Sequence, residues 1–212
     1  MQGELNKDIY VFKKSIDVCE NEMQVFLKYI MLLDEYQKKV NLIGKSTRDN
    51  IWVRHILDSA QILKLLPKEN NNDLIIDIGS GAGFPGIVLT ILGRKDIVLC
   101  EKNQKKVSFL NAAAQECKLQ VKIFKGRVEN YNNINIKIIV SRAVAPLNYF
   151  LKSIKHLTKP DTILVIHKGE KYLQELEEAS KYFSFSSKCY DSITNPLAKI
   201  IKIKNIVELN EY

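Results

Sequence analysis

The chain has 212 residues, 46% of them hydrophobic and 26% charged, with a formal net charge of +8; this suits one globular α/β domain with an appendage and is short for two full domains. No apolar run approaches a membrane span and the start MQGELNKDIY lacks a signal-peptide pattern, so a soluble cytoplasmic protein with no membrane partner is expected. The positive charge suggests a polyanionic partner such as nucleic acid, but Lys, Asn and Ile are abundant everywhere, so charge supports that case without making it.

Residues 1–20 read as helical and weakly patterned. A stronger helix is expected over Glu22–Val40, with Asn21 and Gln24 as a capping pair and a stripe of Met23, Phe26, Ile30, Leu33, Gln37 and Val40 packing on the main domain. In NLIGKSTRDNIWVRHILDSAQILKLL, Ser46 with Asp49 reads as a capping box, and Trp52, Ile56, Ser59, Leu63 and Leu66 share one face of the next helix. Arg54 and Asp58 form an i,i+4 pair that supports a helix. His55, beside the apolar stripe, reads on its own as a structural histidine. The polar tract PKENNND, 67–73, is a linker. This gives an N-terminal helical cap over 1–66 and a sheet domain over 74–212, packed as one unit.

The centre of the chain is Leu74–Leu92, LIIDIGSGAGFPGIVLTIL. A buried strand, Leu74 to Ile78, runs into a glycine-dense turn, and beyond Pro85 the spacing of Ile87, Val88, Ile91 and Leu92 is helical. Gly79, Gly81 and Gly83 allow positive φ and close approach of a ligand, and the free N–H groups at the helix start suit the polar end of a cofactor. Gly81, Gly83 and Gly86 satisfy the dinucleotide pattern G-x-G-x-x-G. Read from Asp77, the string Asp-x-Gly-x-Gly-x-Gly resembles the first motif of class I S-adenosylmethionine-dependent methyltransferases. An acidic residue there favours the second reading, because it would face a sulfonium and an amino group rather than a pyrophosphate. Glu101, ending the next apolar run, can accept both ribose hydroxyls of either cofactor.

The rhythm then becomes regular: strand Ile97–Cys100, helix Lys105–Lys118 with Val107, Leu110, Ala114 and Cys117 inward, strands Val121–Phe124 and Lys137–Ser141, helix Leu147–Leu157, strand Thr162–Ile166, and a charged helix from near Glu170. This implies a parallel, doubly wound sheet. Phe183–Tyr190 and Ile200–Val207 have no helix between them and should pair antiparallel at the sheet edge. The fold expected is a Rossmann-like α/β sheet of the class I methyltransferase kind with a helical cap. Ligands in such sheets sit at the carboxyl ends of the strands, where Asp77–Gly83, Glu101–Asn103, Gly126–Glu129, Ser141–Ala145 and His167–Gly169 fall. Arg127, Arg142 and Lys168 around that mouth point to a phosphate-bearing substrate. Cys19, Cys100, Cys117 and Cys189 are scattered and read as reduced core thiols, and the dispersed histidines give no reason to expect a metal.

NLIGKSTRDNIWVRHILDS, DIGSGAGFPGI, GRVENY, SRAVAPL and IHKG together resemble the bacterial 16S ribosomal RNA guanine-N7 methyltransferase family, RsmG or glucose-inhibited division protein B, from about Val40 to Lys168. The resemblance implies methyl transfer from S-adenosylmethionine to N7 of one guanine in 16S rRNA, with the small ribosomal subunit or an assembly intermediate as partner and a monomeric enzyme. By position it implies that Gly79 and Phe84 line the cofactor, that Val128 and Glu129 flank its adenine, and that Arg142 binds ligand. Arg127 and Lys168 match basic positions suited to RNA or the target base. Asn41, His55 and Asp58 match the cap motif, which turns His55 toward the active site. Glu101 stands where other members often have Asp. Where some members carry Arg near the C-terminus, this chain has Ala198 and Lys199. Two alternatives remain at this level: an NAD(P)-dependent oxidoreductase, against which Asp77 and the terminal hairpin count, and a non-catalytic RNA-binding module.

Overall fold

The computed structural model describes residues 2–69, 73–132, 135–142 and 145–209. Parts of the expected linker, 67–73, and of the expected mouth segment, 141–145, therefore lie outside the described residues. Two helices open the chain, α1 (Gln2–Ser15) and α2 (Glu20–Gln37). The cap of α2 falls earlier than the expected Asn21 and Gln24: Cys19 is the N-cap, and the Glu22 carboxylate accepts its backbone N–H at 2.7 Å. At the other end Gln37 accepts the N–H groups of Leu42 and Ile43 at 2.9 and 3.0 Å, which explains a polar residue in the stripe.

The next region departs from one regular helix. A short α3 (Lys45–Arg48) starts from Gly44, with the Thr47 hydroxyl donating to Gly44 O, so Ser46 and Asp49 form no capping box. The chain then winds as a π-helix over Trp52–Leu57, as α4 (Asp58–Ala60), and as a 3-10 helix over Gln61–Leu65. The wider π turn lets Trp52, His55, Ile56 and Leu57 all be buried. Such segments recur at functional sites.

Largely apolar runs make the inner strands β1 (Leu74–Ile78), β2 (Ile97–Glu101), β4 (Ile136–Arg142) and β5 (Ile163–Lys168), while β3 (Lys122–Lys125), with an exposed lysine at each end, forms the edge beside β2. With β6 (Phe183–Asp191) and β7 (Lys199–Glu208) they form one sheet in the order β3-β2-β1-β4-β5-β7-β6. The first five strands pair in parallel, and β7 joins antiparallel to both β5 and β6. The strand order reverses between β2-β1 and β1-β4, the place where open α/β sheets hold ligands.

One core joins the cap to one sheet face through α5 (Gly86–Ile91) and α6 (Gln104–Glu116); another joins the opposite face to α7 (Leu147–Ile154) and α8 (Tyr172–Ser180). Asn103 caps α6 by accepting the N–H of Lys105 and Lys106. In α6 Phe109 and Ala113 are buried, and Ala114 only partly so. All four cysteines are free, but only Cys100 and Cys117 are core thiols; Cys19 and Cys189 are exposed.

Candidate active site

The turn after β1 has the conformation its glycines allow, with φ of 71° at Gly79, 59° at Gly81 and 94° at Gly83. Asp77, fully buried at the end of β1, accepts the N–H of Gly86 at 2.9 Å, so one of its oxygens ties the strand end to the start of α5. Its other oxygen has no hydrogen-bond partner. Burial pushes its pKa up to about 7, against the pull of the Gly86 N–H. Asp77 thus lies beneath the turn, holding it from below. Glu101 reaches the turn from β2: its two oxygens accept Gly81 N–H at 2.9 Å and Asn103 N–H at 2.8 Å. Beside it, burial pushes the Cys100 thiol up to about 12, an inert group.

Above these residues is a cleft of about 480 Å³ lined by Gly79, Glu101, Arg127, Val128, Glu129 and Arg142. Six of the site residues expected from the sequence therefore meet in one place, drawn from the ends of β1, β2, β3 and β4. Arg127 is exposed at the cleft, while Val128 is buried in its wall. A smaller cavity of about 140 Å³ adjoins, lined by Asp58, Arg142, His167, Lys168 and Thr194 among others. Arg142 is common to both.

Its guanidinium is held by the cap. Nη1 donates to Arg54 O of the π-helix at 3.1 Å and to Asp58 Oδ2 at 3.2 Å, and Nη2 donates to His55 Nδ1 at 2.5 Å. The group also lies over the Phe84 ring, 5.1 Å from its centroid, and His55 stacks at a tilt on the same ring, with centroids 5.0 Å apart. His55 is therefore a contact of Arg142 rather than a side chain of the apolar stripe, and Asp58 pairs with Arg142 where the sequence suggested Arg54. Burial first, and then the charge of Arg142, lower the His55 pKa to about 3, so the ring is neutral.

Lys168 is more committed than a free basic residue: its ammonium donates to Ala145 O at 2.6 Å and pairs with Glu175 at 2.7 Å. His167, from the expected mouth segment, and two residues outside the sequence reading, Gln61 and Thr194, complete the site. His167 Nε2 donates to Asp58 O at 2.7 Å, while the Thr194 hydroxyl and Gln61 Nε2 donate to Asp58 Oδ1 at 2.5 and 2.8 Å. Asp58 thus joins the cap, β4 and the β6–β7 connection. No periodicity could announce that, since Arg142, His167 and Thr194 lie more than eighty residues away in sequence.

A doubly wound sheet ending in an antiparallel β5-β7-β6 ladder, with a glycine turn after β1 and a carboxylate at the end of β2, defines a class I methyltransferase, the class that takes its methyl from S-adenosylmethionine. The chain belongs to the rRNA small subunit methyltransferase G family, GidB, whose model matches residues 22–204. It is 34% identical over 200 residues to the ribosomal RNA small subunit methyltransferase G of Orientia tsutsugamushi (strain Ikeda), covering 93% of this chain and 98% of that protein. To the protein of the same name from Gluconobacter oxydans (strain 621H) it is 36% identical over 178 residues, 84% and 91% of the two chains. Among solved structures the fold is similar to a mutant of MtNAS in complex with S-adenosylmethionine, with a TM-score of 0.59 and 13% identity over 83% of this chain and 72% of that one. It is also similar to the fibrillarin/Nop5p complex, with a TM-score of 0.55 and 16% identity over 72% and 82%. Family membership decides between the two readings of the glycine turn in favour of the methyltransferase.

Proposed function

We propose that this enzyme methylates N7 of a guanine in 16S rRNA, on the small ribosomal subunit or an intermediate in its assembly, as a monomer in the cytoplasm. The observation that carries the reading is Arg142, fixed by the cap at the boundary between the large cleft and the smaller cavity. Guanine N7 has a free lone pair and needs no deprotonation, so the site requires no general base. When bound, S-adenosylmethionine supplies an electrophilic methyl group on sulfur. The residues of this chain then act by positioning, a class of effect that can supply roughly 7–11 kcal/mol.

The residues fit the cofactor. Gly79 and Phe84 line its place. The Glu101 oxygens keep lone pairs beyond those used by Gly81 and Asn103, and these can accept ribose hydroxyls. Val128 and Glu129 flank the adenine. The turn at Gly79 and Gly81 leaves the backbone bare toward the ligand, whereas Gly83 is buried against Ile87 and Leu110 and serves the packing of the turn. Asp77 sets the turn through Gly86. Arg142 keeps its Nε–H and the second hydrogen of Nη2 for guanine O6 or a flanking phosphate, both suited to a guanidinium fork. Arg127, exposed at the rim, is the second candidate for the phosphate, and Lys168 braces the mouth through Ala145 and Glu175. The base must leave its stack to reach this depth. Residues 1–66 and 74–212 act as one unit in this reading, supported by the Tyr29 hydroxyl donating to Ala82 O across them.

The test is transfer of labelled methyl from S-adenosylmethionine to unmodified small subunits and to free 16S rRNA, followed by digestion to nucleosides. Label in 7-methylguanosine is expected. Label in another nucleoside would sink the target atom, and no label with cofactor binding intact would favour the non-catalytic RNA-binding module.

A further inference from the structure

The last two strands extend the sheet beyond β5, and their two faces differ. On one face Phe183, Ile201, Ile203 and Ile206 are buried with α7 and α8. On the other, turned toward the cap, Lys188 lies in register with Lys202 and Ser186 with Lys204. These side chains and Tyr190 line a shallow groove of about 310 Å³.

The groove holds cations without counter-charges. Lys202 Nζ donates to Leu65 O at 2.7 Å, a neutral carbonyl. Lys188 lies over the Tyr190 ring at 5.3 Å, and neither it nor Lys204 has an ion pair among the described residues. Burial, then the charges of Lys204 and Lys188, lower the Lys202 pKa, with no acidic group offsetting them. Like charges facing each other across paired strands are destabilising. Lysines do protect sheet edges from pairing with other chains, which accounts for Lys188 on the edge strand β6. It does not account for Lys202 and Lys204 on β7, which has β5 on one side and β6 on the other.

The array is separate from the mouth: Lys199, in register with Lys168 there, turns to the opposite face of β7, over the Tyr172 ring and paired with Asp191. Three cations that share one groove without counter-charges fit a run of phosphates better than one small anion.

We propose that Lys188, Lys202 and Lys204 form a second contact for the phosphate backbone of the substrate rRNA, gripping it outside the target nucleotide. The proposal rests on the rRNA reading above. Such contacts position an RNA without reading its sequence and act through affinity, leaving the methyl-transfer step alone.

The test compares the wild-type enzyme with Lys188→Gln/Lys204→Gln, both at exposed positions, and with the triple variant that adds Lys202→Gln. The readouts are kcat and KM on unmodified small-subunit rRNA, and the slope of log affinity against log salt. The slope should shrink by about 0.7 per lysine removed, and KM should rise about tenfold at moderate salt. The kcat at saturating RNA and the affinity for S-adenosylhomocysteine should be unchanged, and the thermal midpoint should not fall, since the like charges that face each other are relieved. Variants with wild-type KM and salt slope, beside a wild type that methylates rRNA, would overturn this proposal alone. A wild type that transfers no methyl to rRNA would defeat the parent reading and this one with it. Lost binding to anionic phospholipid vesicles with RNA parameters unchanged would reassign the surface to a membrane and overturn the proposal. Should the triple variant fail to fold, the double variant decides.

Discussion

The proton on His55 is fixed from both sides. A guanidinium can only donate, so Nδ1, facing Arg142, must accept. The Thr47 hydroxyl gives its hydrogen to Gly44 O at 2.9 Å, so it accepts from Nε2–H at 2.8 Å. His55 is thus a neutral, Nε2-protonated ring that orients Arg142, a positioning residue rather than a proton carrier. His55→Ala should lower kcat by about 10–100-fold, the scale of a misplacement of about 1 Å, with little change in S-adenosylhomocysteine affinity. His55→Asn, whose oxygen can stand near Nδ1, should recover part of the loss. With its pKa at about 3, His55 should place no inflection near pH 6.5 in the wild-type kcat profile. Single-turnover rates across pH check all three, and unchanged turnover in His55→Ala would remove the residue from the mechanism.

At the start of α5 the chain depends on the absence of one carbon. A Cβ on Gly86 would lie 2.2 Å from Leu99 Cδ2 and 2.8 Å from the Asp77 oxygen it bonds. Gly86→Ala should therefore destabilise the protein by about 1–3 kcal/mol through overpacking and weaken cofactor binding, because α5 and the turn must part from Asp77. Gly44→Ala, whose Cβ would meet only Thr47 Oγ1 at 3.6 Å, should stay within about 0.5 kcal/mol. Urea titrations of the two variants make the comparison. This corner also shows what sequence can carry. The strands were legible because buried parallel strands are plain apolar runs, and the positive φ angles because glycine announces them. The direction of Asp77 was not, since the room it occupies is made by a missing Cβ on the next element. Nor was the π-helix, because Trp52, Ile56 and Ser59 match a regular helix equally well. Tyr29 was missed because the stripe passes as well through Ile30, and only the Ala82 carbonyl on another element selects the tyrosine.

For the molecule as a whole, two buried groups tilt stability with pH in opposite directions. His55, lowered from 6.5 to about 3, binds a proton more readily unfolded, so its contribution is present above pH 6.5 and is lost as pH falls toward 3. Asp77, raised from 3.8 to about 7, keeps a proton in the folded chain that the unfolded chain has released. Its contribution is present below pH 3.8 and is lost as pH rises through 7. Asp77→Asn keeps an acceptor for Gly86 and removes this titration. Its stability relative to wild type should therefore climb between about pH 4 and 7 and level off above, by on the order of a few kcal/mol. The His55 slope is common to both proteins and cancels in the difference. Urea midpoints at pH 5 and pH 8 suffice, and a pH-independent difference would show that Asp77 ionises normally.

Phe84 belongs to the glycine turn, yet its ring also meets Tyr29 and His55 of the cap and the guanidinium of Arg142. In the proposed function, where Phe84 lines the cofactor and Arg142 holds the RNA, one side chain therefore has a stake in both halves of the reaction. Linkage then requires reciprocity: whatever free energy an occupied turn contributes by steadying Phe84 beneath Arg142 appears, in equal amount, as tighter binding of the RNA, and bound RNA tightens the hold on the methyl donor by the same factor. In that reading S-adenosylhomocysteine would sit against the same ring and be subject to the same coupling, so departure of the modified RNA and release of the spent cofactor would be linked events.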